Sequence, residues 1–65
     1  MGTLRVYRYE LHDAASRTFV PQRGYATEKA IVALRGVTMY STGKDVPASE
    51  VDLAGIWIRA EEHAT

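Results

Sequence analysis

Residues able to do chemistry are present in this chain, but their spacing does not assemble a reaction centre. His12 and His63 are the only histidines. A metal site gathers three or four ligands from fixed elements, and neither His-x-x-x-His nor Glu-x-x-His spacing occurs. His12 reads as a solvent-exposed strand end beside Asp13, and His63 falls in a polar tail. Ser16, Ser41 and Ser49 lack the strand-turn-helix context of a nucleophile elbow. The glycines at 24, 36, 43 and 55 are isolated turn residues and make no phosphate loop. Glu50 and Asp52 are the one close acidic pair outside the tail, and their setting is that of a solvated turn. No catalytic, cofactor-binding or metal residue is assigned, and the chain is expected not to be an enzyme.

The aromatic side chains are more informative. If a helix covers the sheet face carrying Leu4, Val6, Val37, Met39, Ile56 and Ile58, the opposite face holds Tyr7, Tyr9, Tyr40 and Trp57, flanked by Arg5 and Arg59. Tyrosine, tryptophan and arginine are enriched at protein interfaces. The same types on an open sheet stack single-stranded bases. A third reading reverses the faces and makes these aromatics the core. The candidate interface is therefore Arg5, Tyr7, Tyr9, Tyr40, Trp57 and Arg59.

One helix must position that surface, and the stretch Thr27 to Gly36 is marked at both ends. Thr27 is a suitable N-cap. Glu28 meets the positive end of the helix dipole and Arg35 the negative end. Gly36 suits the left-handed C-terminal position, with Val37 able to close it against Val32. Ala30, Ile31 and Leu34 share one face at helical spacing, beside Ala26 and Ala33, so Leu34 is expected to be buried. Before the helix, Thr3 to His12 reads as a strand, Asp13 to Ser16 as a turn, and Arg17 to Val20 as a return strand with Phe19 inward. Pro21 ends that strand or confines it to an edge. After the helix, Val37 to Tyr40 reads as a strand and Ser41 to Asp45 as a turn. Val46 is extended before Pro47, and Pro47 to Val51 suits one helical turn. Gly55 permits a bend into a last short strand, Ile56 to Arg59, followed by a frayed tail over 60–65.

The run Tyr7-x-Tyr9, Asp13, Phe19-Val20, Ala26-Thr27-Glu28-x-Ala30-Ile31, Gly36, Asp45-Val46-Pro47 and Val51-Asp52-x-x-Gly55 resembles a loose group of short uncharacterised bacterial proteins. In that group a tyrosine-rich hairpin precedes a helix opening Thr-x-x-Ala-Ile. The resemblance implies this order of elements and a bacterial origin, and it implies no activity or site residue.

Composition bounds the rest. Sixty-five residues make one domain, close to the lower size at which a chain folds alone. Without cysteine there is neither a disulfide nor a thiolate metal site, and a reducing cytoplasm is the expected compartment. Eight basic residues balance eight acidic ones, which gives no global field for nucleic acid or an anionic membrane. The expected fold is α+β: one helix packed on one face of an antiparallel sheet of three to four strands, in the order ββαββ. One helix hides one face only, whereas both faces of the first strand carry large side chains. A homodimer burying part of the Tyr7/Tyr9/Trp57 surface, or an exposed strand edge beside it, is therefore expected. The function expected is that of a small interaction or regulatory protein. A single-stranded nucleic-acid binder using the aromatic face with Arg5 and Arg59 is the alternative.

Overall fold

The computed structural model describes residues 2–58, so Arg59, His63 and the expected tail lie outside the described residues. Strand β1 (Thr3–Asp13) is the hub of a four-stranded antiparallel sheet. Its far end, Glu10 to Asp13, pairs with β2 (Thr18–Pro21). Asp13 builds the turn between them, accepting from the Ala15 N–H at 3.2 Å and from the Ser16 hydroxyl at 2.9 Å. Val6 and Tyr7 pair with the two-residue β3 (Ala26–Thr27), which runs directly into helix α1 (Glu28–Ala33). Strand β4 (Val37–Pro47) pairs with β1 from Thr3 to Glu10. Val6 thus lies between Thr27 and Lys44, and Glu10 between Pro21 and Val37. The fold is α+β, as expected, but the order among the described residues is βββαβ: β3 is added before the helix, and β4 is the one strand after it.

Helix α1 starts where its sequence says, with the Thr27 side chain accepting from the Ala30 N–H at 3.2 Å. It stops earlier than expected. Leu34 is the C-cap and Arg35 takes the left-handed position, at φ 60°. The Arg35 N–H donates to the Val32 carbonyl at 3.0 Å and the Gly36 N–H to the Ile31 carbonyl at 2.9 Å, a Schellman pair. Gly36 is glycine for another reason: a Cβ there would lie 2.8 Å from both the Glu10 carbonyl oxygen and Leu11 Cδ2.

The segment expected to break after Tyr40 is one continuous, irregular strand. Val6 pairs with Lys44 and Arg8 with Met39, so residues 40–43 stand opposite Tyr7 alone. Such a bulge interrupts the ladder. Thr42 repairs it, its hydroxyl accepting from the Arg8 N–H at 2.8 Å and donating to the Met39 carbonyl at 2.6 Å. The turn-forming composition of Ser41 to Asp45 is spent on this bulge. The expected helical turn is a short 3₁₀ turn, Ala48–Glu50. Beyond it the chain doubles back through Gly55, at φ 87°, and the expected last strand is reduced to isolated bridges, Ile56 to Ala26 and Trp57 to Val51. The Thr27 N–H donates to the Gly55 carbonyl and the Trp57 N–H to the Tyr25 carbonyl, both at 2.9 Å.

Side-chain alternation sorts the sheet into two faces. Tyr9 and Ala26 are buried against Ala30 and Ile31 of α1, with Tyr7, Leu11 and Ile56 packed around them. The helix therefore covers the tyrosine face of β1, and of the three readings of the aromatics the reversed one holds for Tyr7 and Tyr9. Leu4, Val37 and Met39, expected beneath the helix, lie on the other side with Arg8, Glu10 and His12. Phe19, expected inward, pairs with His12 on that same side and is 46% exposed. Leu34 is 49% exposed and contributes nothing to the buried face. Six residues make fewer than two helical turns, at ~3.6 residues per turn, so only Ala30 and Ile31 of α1 reach the core.

Candidate functional site

Two arrangements concentrate polar and aromatic side chains. The first joins the β4 bulge to the start of α1. Tyr7 is half-buried on the helix face, and a Cβ at Gly43 would stand 2.7 Å from its Cε2. Tyr40 meets the Tyr7 ring edge-on, with centroids 5.4 Å apart. The Tyr40 hydroxyl donates to Glu28 Oε2 in the first turn of the helix. That bond to a carboxylate favours the protonated phenol and raises the Tyr40 pKa above its ordinary value.

The second lies on the face away from the helix. Trp57 Nε1 donates to Glu50 Oε1 at 2.9 Å. The Trp57 and Tyr25 rings stand edge-on at 81°, with centroids 5.5 Å apart, and so form a corner. The Lys44 ammonium sits in it, 4.0 Å from the Trp57 centroid and 4.4 Å from that of Tyr25. Backbone pairing builds the corner: Lys44 is the register partner of Val6, and Trp57 follows the Ile56 bridge to Ala26. All four side chains are half-buried.

The six residues singled out from the sequence do not form one surface. Tyr9 is in the core, Tyr7 borders it, and Tyr40 is exposed beside the helix. Trp57 faces the other way. Arg5 pairs with its register partner Asp45 at 3.2 Å, both side chains being largely exposed. Arg59 is outside the described residues. Sequence reasoning missed Tyr25 and Lys44, since the first preceded an unrecognised two-residue strand and the second was assigned to a turn. The aromatic at 25, immediately before an Ala-Thr pair, was the available signal.

The other candidates keep to local roles. His12 is exposed and meets Phe19 edge-on at 5.3 Å. Asp52 Oδ1 accepts from the Ala54 and Ile56 N–H groups, each at 2.9 Å, while Glu50 holds Trp57. The Ser16 hydroxyl, then the Ala15 amide, hold the Asp13 carboxyl below its usual range. Among the described residues no group of acids and histidines is placed to hold a metal. A shallow groove of about 280 Å³ between α1 and residues 53–55 is lined by Ala30, Ala33, Leu53 and Lys29, with no carboxylate or imidazole.

No protein-family model, curated protein or solved structure matches the chain. No helix among the described residues is long and apolar enough to cross a membrane.

Proposed function

We propose that this protein is a small non-enzymatic interaction module that self-associates through the helix-free face of its sheet. The observation carrying this reading is the exposed apolar row along that face: Phe19, then Val37 at 45% exposure beside Met39, and, past the Lys44–Tyr25–Trp57 corner, Leu4 at 40%. Exposed apolar side chains sharing one face mark a contact surface more often than isolated ones do. Arg8 and Glu10 stand on the same face two positions apart. Across a two-fold axis, where one patch meets itself, the arginine of one copy can approach the glutamate of the other. The nucleic-acid reading gains no support from this arrangement, because Tyr9 is buried and Tyr7 borders the core.

Sedimentation velocity over a dilution series tests the proposal. The expected result is a dimer at ~100 μM, a concentration at which micromolar affinity is evident. Replacing Phe19 and Val37 together by serine should return the chain to monomer with its far-ultraviolet circular dichroism unchanged. A wild-type monomer throughout the series overturns the reading.

A further inference from the structure

The geometry points to the Tyr25–Trp57 corner as a binding site for quaternary ammonium groups, in which Lys44 is an internal, displaceable occupant. An ammonium over two ring faces, 4.0 and 4.4 Å from their centroids, is held as a ligand cation is held in an aromatic cage. Two near-perpendicular rings supply two walls of such a cage. Among the described residues no carboxylate lies within ion-pair distance of Lys44, and the two ring quadrupoles face its charge. Glu50 fixes the indole plane through Nε1 and adds negative potential next to the corner.

Exchange follows from hydration. A primary ammonium is compact, strongly hydrated and carried on a flexible stem, so Lys44 regains its water shell on swinging out. A quaternary ammonium has no N–H to hydrate and loses less on entering the corner. The corner lies on the face that α1 leaves open, and its walls are half-buried rather than sealed. This inference goes beyond the self-association reading and does not require it.

Choline chloride and a peptide carrying one trimethyllysine are the probes, with sodium chloride at equal ionic strength as control. Trp57 is the only tryptophan, so its fluorescence and indole N–H resonance report directly on the site. The expected result is a saturable change with one or both probes in the wild type, and the tighter probe distinguishes a free small cation from a modified side chain. Lys44→Ala should empty the corner and tighten binding by about tenfold, the scale of a cation–aromatic contact. Glu50→Gln keeps an acceptor for the indole but removes the charge, and should weaken binding while circular dichroism stays unchanged. Tyr25→Leu should abolish it. Repeating the titration in the Phe19/Val37 serine variant separates the two proposals, because the corner should bind at least as well in a monomer, where no second copy covers that face. Failure of both probes to saturate with Lys44→Ala overturns the inference, as does undiminished binding by a folded Tyr25→Leu protein.

Discussion

A methyl group added at Gly36 would press on the Glu10 carbonyl oxygen and on Leu11 Cδ2, both at 2.8 Å. Backbone on one side leaves little room to give, so Gly36→Ala should lower stability by ~1–3 kcal/mol, the range for overpacking. Arg35 shows the converse. It holds the left-handed position that a non-glycine residue occupies at roughly 1 kcal/mol. Arg35→Gly should therefore raise the urea midpoint while Gly36→Ala lowers it, and equal effects from the two variants would refute this division of roles. Tyr40 supplies a pH dependence whose sign is fixed by its hydroxyl bond to Glu28. A pKa raised above 10.0 means that the native state holds its proton longer than the unfolded chain does. The contribution is fully present below the unfolded value and is lost as pH rises through the folded one. Glu28→Gln should flatten this alkaline limb in thermal melts at high pH, and an unaltered limb would show that the bond contributes nothing there.

Elements differ in how openly the sequence declares them. The start of α1 was legible because its cap is local: Thr27 needs only the Ala30 N–H three residues on. Its end was not, because the glycine at 36 answers to a neighbouring strand rather than to its own backbone angle. The bulge in β4 was hidden for the same reason, since residues 40–43 have turn composition and only the pairing of Arg8 with Met39 shows them to be an insertion. Thr42 is the test of that element. Its removal as Thr42→Val leaves the Arg8 N–H without its acceptor and should cost ~1–3 kcal/mol by urea denaturation, the penalty for an unsatisfied buried donor. Helical periodicity also misplaced Leu34, because periodicity names a face without saying how far the helix runs along the sheet. With Leu34 half-exposed and Ile31 fully buried, Leu34→Ala should cost under ~1 kcal/mol and Ile31→Ala ~2–5 kcal/mol. A larger loss at 34 than at 31 would place the core on the wrong side of α1.

At the scale of the whole molecule the governing mismatch is one of length. The six residues of α1 span about 9 Å, at ~1.5 Å per residue. The eleven residues of β1 span roughly 37 Å, at ~3.4 Å per residue. A molecule 39 Å long is thus covered by a helix over a fraction of its sheet, on one face. The buried apolar set among the described residues is correspondingly small: Val6, Tyr9, Ala26, Ala30, Ile31 and Val46. The Lys44–Tyr25–Trp57 corner covers part of the second face, while Phe19, Val37 and Leu4 stay outside it. A core of this size sits near the limit of independent stability. If association buries that row, folding and dimerisation are linked by mass action, and once the dimer dominates stability gains about 1.4 kcal/mol per dimer, about half that per chain, for each tenfold rise in concentration. The melting temperature should accordingly climb between ~5 and ~500 μM, a span wide enough to bracket micromolar affinity. The Phe19/Val37 serine variant should melt at one temperature across the same span. A flat wild-type series would mean that the sheet and its short helix are sufficient alone, and that the apolar row contributes nothing to holding the fold together.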